Sequence, residues 1–582
     1  MKKSRSTARR LTLTMITIFG VVGVFTGRLV DLQVVQSAAL TKLAIENRSS
    51  TVTTYGTRGA IVDTNGAVLA DSVDRFDITA SPKVMLSVYK TPALLTSALT
   101  KISAVTGSST TDLVAAINQN PKSDFAYLVK SVTLDVFDAV QKLKISGVAW
   151  EPHPARSYPN GAIAGNLLGF IGTDGPQAGI ELMNNSCLAS TNGQSTYEKS
   201  RDGTRIPGST VKQTDPKNGG TVKLTIDHDL QYDVQQAIIA QAKKIGAPWA
   251  TAVVERVKDG HLLAVADYPT VDPNNVSGAK RTALGSLAFS TPYEPGSTFK
   301  AMSAASLIDA GKITPTTRIV VPPVYTKGLP AGQYIKDSFV HGTLHYTTAG
   351  VLENSSNIGI SVLSEQMGAQ ERHDYMAKFG VGSKTAVDFG AEQSAGYLSP
   401  ANTWDPITNR TVEFGQGVSA TSVQVAQIFE TLANHGVREP STLVEGCYHS
   451  DGTVTDKPTT KPVRVISQQA ADETVKMLET VVTGGPISDL LKIPGYRVAA
   501  KTGTAQVAST NGSGYTNKYI ISVAGIAPAE DPQYVVVVTF GPSTMGSSAF
   551  AAPAFKKVMT EVLTRYRVEP STKRAPFVQT MW

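Results

Sequence analysis

The chain has 582 residues, of which 41% are hydrophobic and 17% are charged, and its formal net charge is +7 at pH 7. This length exceeds what one hydrophobic core supports, so two or three domains are expected, and the composition excludes wholesale disorder. Because the dense cluster of basic residues lies at the N-terminus and not beside aromatic residues on a folded surface, the charge does not indicate nucleic-acid binding.

An apolar stretch near the N-terminus indicates a membrane anchor. Basic residues within 1–10 precede an uncharged run at 11–27, about 25 Å long as a helix, and the apolar pattern continues past Arg28 to Leu32. The hydrocarbon core of a bilayer is ~30 Å thick, and Arg28 can reach its interface. Because cationic flanks stay in the cytoplasm, we expect a cytoplasmic tail at 1–10, a transmembrane anchor at 11–32 and an extracytoplasmic body attached to the cell membrane.

A cleaved signal peptide is the alternative interpretation of this stretch. The segment 36–39 would supply a small-residue cleavage site, but Arg28 and Asp31 lie between that site and the apolar run. The uncleaved anchor is therefore favoured. No later run reaches spanning length, so a single-pass protein is expected.

The chain between the anchor and residue 220 has the pattern of an elongated, irregular module. Residues 33–50 predict a juxtamembrane helical stalk, and residues 51–220 predict a separate domain that is not a compact enzyme. Asn65-Gly66 between two apolar runs predicts a β-hairpin, and apolar positions within 92–147 recur at helical spacing.

From residue 221 to residue 568 the pattern is that of a globular domain with an antiparallel sheet flanked by helices. Asp227 predicts the N-cap of a helix at 231–244, and another helix is expected at 555–566. Residues 569–582 are expected to form a short, loose tail. Strand patterns are found at 222–226, 249–256, 261–267, 519–526 and 534–540.

The two cysteines carry little information about function. Cys187 and Cys447 lie far apart and neither belongs to a Cys-x-x-Cys pair, so neither a zinc site nor a disulfide framework is indicated. We expect two free, buried thiols, and a single long-range disulfide is the less favoured alternative.

A candidate nucleophile lies in Tyr293-Glu-Pro-Gly-Ser-Thr-Phe-Lys300. The Pro-Gly turn leads into an apolar helix on which Ser297 and Lys300, three positions apart, share a face. Serine needs a neighbouring base to become a good nucleophile, and lysine can act as that base when burial lowers its pKa. The pair alone is a weak signal, because Ser-x-x-Lys occurs by chance in many chains.

Two further motifs strengthen the hypothesis. Ser355 and Asn357 form a Ser-x-Asn pair, and Lys501 begins a Lys-Thr-Gly-Thr segment at a strand. Together and in this order, the three motifs resemble the signature set of penicillin-binding proteins and class A β-lactamases. Ser356 stands where one version of that set has Asp.

The resemblance extends over most of the chain to the class B penicillin-binding proteins. Glu294–Ser297 and Ser355–Gly359 are more similar to the cell-division (FtsI-type) branch than to the elongation branch, whereas Leu188–Gly193 keeps the family pattern poorly. The segments that resemble the non-catalytic pedestal of the family are Arg58–Asp63, Arg156–Gly161, Leu168–Gly172 and Gly179–Glu181.

The resemblance implies an α+β fold of the penicillin-binding and serine β-lactamase type. Its transpeptidase domain, with a five-stranded antiparallel sheet, would occupy 221–568. An elongated pedestal, the dimerisation domain of the family, would occupy 51–220, and one transmembrane helix would precede it. The implied reaction is the cross-linking of peptidoglycan stem peptides, and β-lactams are the implied inhibitors.

The resemblance and acyl-transfer chemistry together assign a role to each motif residue. Ser297 would be acylated by a D-Ala-D-Ala donor, with the backbone N–H groups of Ser297 and Thr504 as the oxyanion hole. Lys300 and Ser355 would carry the proton, and Asn357 would orient Lys300 and the substrate amide. Lys501 is expected to favour a neutral Lys300 and to attract a carboxylate. The remaining substrate-binding residues are Thr502 and Thr504, which would hold that carboxylate, and Gly503, which would let substrate approach the strand.

Neither a metal nor another cofactor is expected. His341 and His345 could be metal ligands, but a structural role is favoured because no third ligand is evident. The segment 414–417 is expected to be a tight turn near the site. By family analogy, the partners would be a septal glycosyltransferase of the FtsW type and other division proteins, at the membrane and without nucleic acid.

Three alternative functions remain open from the sequence. The first is an elongation-type class B penicillin-binding protein. The second is a β-lactam hydrolase or sensor, since Ser-Thr-Phe-Lys also occurs in class D enzymes. The third is a non-catalytic assembly scaffold, which the intact motif residues argue against.

Overall fold

The N-terminal apolar run folds as one long helix. The computed structural model describes residues 4–198, 206–210, 212–509 and 514–582, so residues 1–3 of the predicted cytoplasmic tail lie outside the described part. Helix α1 (Ser4–Val30) continues through a π-helical segment (Asp31–Val35) and is followed by α2 (Ser37–Arg48). Within the described residues, Ser6–Val35 is the one helical stretch long and apolar enough to cross a membrane, which fits the predicted single-pass anchor.

The pedestal is a mixture of short strands and helices. Its strands are β1 (Ser49–Thr54), β2 (Ile61–Val62), β3 (Val68–Val73), β4 (Phe76–Ala80), β5 (Ala126–Val132), β6 (Val148–Pro152), β7 (Ala155–Ser157), β8 (Ile171–Gly172), β9 (Gly175–Pro176), β10 (Gly193–Glu198) and β11 (Lys212–Thr214). Its helices are α3 (Pro82–Val88), α4 (Pro92–Thr106), α5 (Thr110–Gln119), α6 (Leu134–Lys142), α7 (Gly165–Leu168), α8 (Gly179–Met183) and α9 (Asn185–Leu188).

The predicted hairpin at Asn65-Gly66 is present, because β2 and β3 pair antiparallel on either side of it. The prediction of helix throughout 92–147 is wrong in one place, since β5 pairs with β4 there. Strand β5 has a mixed burial pattern without strict alternation, so periodicity did not distinguish it from helix.

A buried carboxylate joins the pedestal segments that carry the family resemblance. The side chain of Glu181 is fully buried and accepts hydrogen bonds from Arg58 Nε (2.7 Å), Arg156 Nε (2.6 Å) and the hydroxyl of Tyr158 (3.2 Å). A buried carboxylate is stable only when it is paired and hydrogen-bonded. Three segments far apart in the chain are therefore held together at this one side chain.

Residues 221–582, which contain the three motifs and are called the catalytic half after the resemblance that those motifs carry, contain the remaining elements. Its strands are β12 (Thr221–Leu224), β13 (Trp249–Arg256), β14 (His261–Tyr268), β15 (Arg318–Val321), β16 (Leu344–Thr347), β17 (Val437–Arg438), β18 (Val444–Tyr448), β19 (Val454–Thr455), β20 (Val463–Arg464), β21 (Ala499–Ala508), β22 (Tyr515–Ala527) and β23 (Tyr534–Ser543). Its helices are α10 (His228–Ile245), α11 (Leu287–Ser290), α12 (Phe299–Asp309), α13 (Thr348–Glu353), α14 (Asn357–Leu363), α15 (Ala369–Lys378), α16 (Thr408–Thr411), α17 (Ser422–Ala433), α18 (Gln468–Thr483), α19 (Ser488–Leu491) and α20 (Ala552–Arg565).

A five-stranded antiparallel sheet in the order β14-β13-β23-β22-β21 is the centre of this half. Alternate residues of β13 face opposite sides. Val253 packs with α12 and α17, whereas Val254 packs with α10 and α20. Asp227 caps α10 by accepting a hydrogen bond from the amide of Leu230, as predicted. The predicted antiparallel sheet with helices on both faces is confirmed.

Strand β12 belongs to a different sheet. It pairs in parallel with β2 of the pedestal and antiparallel with β18, within a six-stranded sheet in the order β19-β18-β12-β2-β3-β7. The predicted boundary at residue 220 therefore falls at a sheet to which both halves of the chain contribute. The domain limits stay a prediction.

The expectation of two free thiols is wrong. Cys187 of α9 and Cys447 of β18 form a disulfide with a Cα–Cα distance of 6.0 Å, although they are 260 positions apart in sequence. Both residues are buried where the pedestal packs against the catalytic half. Sequence spacing gave no sign of the pairing, because only the docking of the two halves brings these cysteines together.

The expectation of a loose tail after residue 568 is also wrong. The backbone N–H of Ser571 donates to the carbonyl of Gly495 (2.8 Å), and Met581 forms an antiparallel bridge with Tyr346 of β16. The tail has little periodicity of its own because it packs as extended chain against existing elements.

We expect the disulfide to stabilise the docking of the two halves. In the Cys187→Ser/Cys447→Ser variant the free energy of unfolding should fall by about 2–5 kcal/mol, because the unfolded chain loses a long-range cross-link. Thermal unfolding under non-reducing conditions measures this, and thiol titration of the unfolded wild type should find no free thiol. The single variant Cys447→Ser is the control and should match the double variant. Equal unfolding temperatures for wild type and double variant would contradict the expectation.

Candidate active site

The candidate nucleophile lies on a tight turn before α12. Ser297 is the middle residue of a 3-10 turn, Gly296–Thr298, that continues directly into the helix. Gly296 has φ of +60°, and its amide donates to the carbonyl of Gly415 (3.1 Å). A Cβ at residue 296 would lie 2.8 Å from the carbonyl oxygen of Thr504. Glycine is required there for both its conformation and its small size.

Lys300 is fully buried on the first turn of α12. Its amine donates hydrogen bonds to Oδ1 of Asn357 (2.7 Å), to Oγ of Ser355 (3.4 Å) and to the backbone carbonyl of Ser355. Burial lowers the pKa of Lys300 to about 7, because the charged amine has lost its water, and the carboxylate of Asp337 acts in the opposite direction. A large fraction of the amine is therefore neutral and basic near pH 7.

Ser355 lies at the junction of α13 and α14 with φ of +56°, a value that is uncommon for a serine. Its hydroxyl oxygen accepts hydrogen bonds from the amines of Lys501 (2.9 Å) and Lys300 (3.4 Å). Ser356 is the N-cap of α14, with its Oγ accepting from the amide of Gly359 (2.7 Å). Ser356 therefore caps the N-terminus of α14, a role for which Asp is also suited.

Asp337 supports this junction and was missed by the sequence analysis. Its buried carboxylate accepts from the hydroxyl of Ser356 (2.7 Å), the amide of Ile358 (3.0 Å) and Nε2 of His341 (3.1 Å). A lone Asp in a loop 18 positions before Ser355 carries no sequence signal of this role. Within the described residues no group of three or more His, Cys, Asp or Glu could hold a metal ion.

Lys501 is fully buried on β21 beside Lys300. Burial and repulsion from the charge of Lys300 hold the pKa of Lys501 well below its usual range. Burial is the main cause of the lowered pKa of Lys300, and repulsion between the two charged amines acts on both of them. The two amines therefore compete for the charge in one low-dielectric site, and the expected effect of Lys501 on Lys300 stays a prediction.

The Lys-Thr-Gly-Thr segment alternates along β21. Thr502 and Thr504 are partly exposed and face the cleft, whereas Gly503 is buried on the other side. A Cβ at residue 503 would lie 2.3 Å from Oγ of Ser522 and 2.8 Å from the carbonyl oxygen of Pro295. This glycine therefore allows the turn of the nucleophile to pack against the strand, a reason different from the predicted approach of substrate.

One cleft of about 690 Å³ collects the predicted residues. It is lined by Ser297, Ser355, Asn357, Thr502 and Thr504, and Lys300 and Lys501 lie behind Ser355. Phe414 and Gln416 of the predicted turn also line it, as does Glu353 of α13. The sequence motifs, which are up to 204 positions apart, are thus brought together in space.

The comparison with known proteins decides the family. The family model described as penicillin binding protein transpeptidase domain matches residues 250–560, and the model described as penicillin-binding protein dimerisation domain matches residues 53–224. The chain belongs to the penicillin-binding proteins. The predicted class B family, α+β fold and serine transpeptidase enzyme class are confirmed.

Named relatives of this penicillin-binding protein match it over most of its length. Penicillin-binding protein PbpB of Mycolicibacterium smegmatis is 33% identical to this chain. The alignment covers 96% of this chain and 91% of the relative. Peptidoglycan D,D-transpeptidase FtsI of Escherichia coli K12 is 31% identical to this chain. The alignment covers 94% of this chain and 90% of the relative.

Solved structures agree with this assignment. A peptidoglycan synthetase from Bifidobacterium adolescentis superposes with a TM-score of 0.72 at 30% identity and covers 92% of this chain and 100% of its own. Penicillin-binding protein 3 from Mycobacterium tuberculosis, in complex with aztreonam, superposes with a TM-score of 0.70 at 28% identity and covers 91% of this chain and 100% of its own.

The pKa of Lys300 predicts how acylation of this penicillin-binding protein depends on pH. Because the lowered pKa is about 7, the neutral amine forms as pH rises through that value, and the rate of acylation by a fluorescent penicillin should rise from about pH 6 and level off by about pH 8. In Lys300→Arg the guanidinium stays protonated, so the rate should fall by at least about 10²-fold. Stopped-flow or gel-based labelling across this pH range measures the rate.

The exposed Lys312, just beyond α12, provides the matched control, and Lys312→Arg should keep the wild-type rate and pH profile. A wild-type rate that does not change with pH, or that rises only near the ordinary lysine pKa, would rule out Lys300 as the base with the lowered pKa.

Proposed function

We propose that this penicillin-binding protein cross-links peptidoglycan in the septum through an acyl-enzyme on Ser297. The observation that carries the proposal is the convergence of Lys300 and Lys501 on the hydroxyl of Ser355 in the cleft that also contains Ser297. One buried amine with a pKa near neutrality and one shared hydroxyl are what proton transfer to and from a serine requires.

The first half of the reaction is acylation by the donor peptide. The Oγ atom of Ser297 attacks the carbonyl carbon of the penultimate D-Ala, and neutral Lys300 takes the proton of the Ser297 hydroxyl. The backbone N–H groups of Ser297 and Thr504 stabilise the oxyanion of the tetrahedral intermediate. When the peptide bond breaks, the proton passes from Lys300 through the hydroxyl of Ser355 to the amine of the leaving D-Ala.

The second half of the reaction is deacylation by the acceptor amine. That amine attacks the ester carbonyl, its proton returns through Ser355 and Lys300, and the Ser297 oxygen leaves as a hydroxyl. Asn357 supports this exchange because its Oδ1 accepts a hydrogen bond from Lys300 while its Nδ2 donates to the carbonyl of Lys336 (3.0 Å). Its orientation is thereby held from both ends.

The C-terminal carboxylate of the donor peptide is assigned to the Lys-Thr-Gly-Thr strand. The hydroxyls of Thr502 and Thr504 face the cleft, and the amine of Lys501 lies just behind them. A bound carboxylate would favour the charged form of Lys501, since it supplies a counter-charge that no described residue supplies through an ion pair. The carboxylate of a β-lactam would bind at the same place. Attack of Ser297 on the β-lactam ring would open the ring and leave Ser297 acylated.

Ser297→Ala tests the chemistry directly. This variant should lose covalent labelling by a fluorescent penicillin, because the nucleophile is absent, and it should keep the unfolding temperature of the wild type. Mass spectrometry of the labelled wild type should locate the adduct on the peptide that contains Ser297. Ser290→Ala, at the end of α11 outside the cleft, is the control and should label normally. Labelling of the Ser297→Ala variant would refute the assignment.

The septal role and the membrane orientation are supported by the sequence pattern. Glu294–Ser297 and Ser355–Gly359 resemble the cell-division branch more than the elongation branch, and relatives include FtsI and PbpB. The basic residues at 1–10 favour a cytoplasmic N-terminus. A separate septal glycosyltransferase of the FtsW type would supply the glycan strands, and the protein would meet it and other division proteins in the membrane.

Depletion in cells separates the septal role from the elongation role. Cells depleted of the protein should elongate without completing septa, because cross-linking at the division site is lost, and a fluorescent fusion should accumulate at midcell. The Ser297→Ala fusion is the control: it should localise like the wild type and fail to restore division. Normal septation with widened or bulging lateral walls would favour the elongation-type alternative.

A further inference from the structure

Four residues near the end of the chain, 579–582, lie along the edge of the β15–β16 hairpin, and we call them the strap. Met581 bridges antiparallel to Tyr346, the amide of Trp582 donates to the carbonyl of His345 (3.2 Å), and the amide of Thr347 donates to the carbonyl of Thr580 (3.1 Å). The strap thus adds a third extended segment to the two-stranded hairpin.

Trp582 anchors the strap. Its Nε1 donates to the carbonyls of Tyr346 (3.0 Å) and Ile319 (3.3 Å), which lie on the two strands of the hairpin. The guanidinium of Arg318 lies 5.4 Å from the centre of the indole ring, and the ring of His345 meets the indole edge-on at 4.8 Å. One side chain therefore joins the strap to both strands.

The strap also holds the first turn of α13. Thr347 is the N-cap of α13, and its Oγ accepts from the amide of Gly350 (3.2 Å). The single proton of that hydroxyl is donated to the carbonyl of Gln579 (2.6 Å), which turns the oxygen lone pairs towards the helix. A Cβ at residue 350 would lie 1.9 Å from the carbonyl oxygen of Thr580, so the strap occupies the space that any larger residue would fill.

The strap also reaches the far end of α13. The hydroxyl of Thr580 lies beside the carboxyl of Glu353, the last residue of the helix, and counteracts the burial that raises the pKa of that carboxyl. Glu353 also lines the active-site cleft. The chain then continues through Asn354 to Ser355, whose amide donates to the carbonyl of Leu352 (3.3 Å). Ser355 has a positive φ, a conformation that persists only when the surrounding structure enforces it.

We propose that the strap is a positioning element for Ser355. By holding the first turn of α13 through Thr347 and Gly350, and by lying beside Glu353 at the other end, it fixes the junction at which the Ser355 hydroxyl meets the amines of Lys300 and Lys501. The inference rests on the proposed proton-carrying role of Ser355. None of the four strap residues is among those that line the cleft, so their loss is expected to act on the chemical step and not on β-lactam binding.

Trp582→Ala in the full-length protein tests the proposal. At saturating fluorescent penicillin the first-order acylation rate constant should fall by about 10-fold, because Ser355 is no longer held in register with the two lysines. The concentration of penicillin at half-saturation should stay unchanged. Trp582→Phe keeps an aromatic ring against His345 and Arg318 but loses the two Nε1 hydrogen bonds, so it should restore part of the rate. Phe577, which is 93% exposed on the same tail, gives the control Phe577→Ala, with the wild-type rate expected.

Thr580→Val provides a second variant if Trp582→Ala does not fold. It keeps the backbone contacts of the strap and removes only the hydroxyl that lies beside Glu353, and a loss of about 3-fold in the same rate constant is expected. Wild-type rate constants in folded Trp582→Ala or Thr580→Val would overturn the proposal, as would an equal loss in Phe577→Ala. A lower unfolding temperature with an unchanged rate constant would show that the strap only stabilises the fold.

Ser355→Ala separates this inference from the proposed function. If Ser355→Ala acylates at the wild-type rate, the proton-carrying role of Ser355 is wrong and the strap has no catalytic residue to position. If Ser355→Ala is slow while the strap variants are normal, the proposed function stands and the strap inference fails. Slow acylation in Ser355→Ala and in the strap variants, with rescue by Trp582→Phe, supports both.

Discussion

Two lysine amines that share one serine hydroxyl in a water-poor site set the requirements for the rest of the structure. Lys300 and Lys501 are both fully buried, and two positive charges so close together in a low dielectric cannot both be stable. The Asp337 carboxylate favours the charged form of Lys300 but is itself engaged by Ser356 and His341. The fold therefore keeps a basic amine one helical turn from the candidate nucleophile Ser297, a state that these side chains would not adopt in water.

Maintaining that state requires close approach of three elements. The turn that carries Ser297 packs against β21, and this contact is possible because residues 296 and 503 have no side chains. The α13–α14 junction then brings Ser355 between the two amines. The five-stranded sheet gives these elements a rigid base, since both of its faces are covered by helices. Each side chain in the site is held by packing, so little reorganisation is needed when charge develops on the substrate.

Contacts between segments that are distant in sequence also hold the structure together outside the cleft. Glu181 joins separate pedestal segments, β12 places one strand of the catalytic half in a sheet with pedestal strands, and the Cys187–Cys447 disulfide links the two halves covalently. In the same way, the strap holds α13 in place through contacts from a distant part of the chain. Extended or irregular segments with little secondary structure of their own are in each case held by partners from distant parts of the chain.

The sequence by itself determined the parts of this protein that depend on neighbouring residues. The membrane anchor, the Asn65-Gly66 hairpin, the N-cap Asp227, most strands of the catalytic sheet and all three motifs of the site could be predicted, because turn chemistry, capping and periodicity act within a few positions. Only the tertiary structure decided the Cys187–Cys447 pairing, the sheet that β12 joins, the role of Asp337, the buried side of Gly503 and the packing of the strap. These features depend on which distant segments pack against each other. A pattern of neighbouring residues cannot predict such contacts, because their free energy depends on residues elsewhere in the chain.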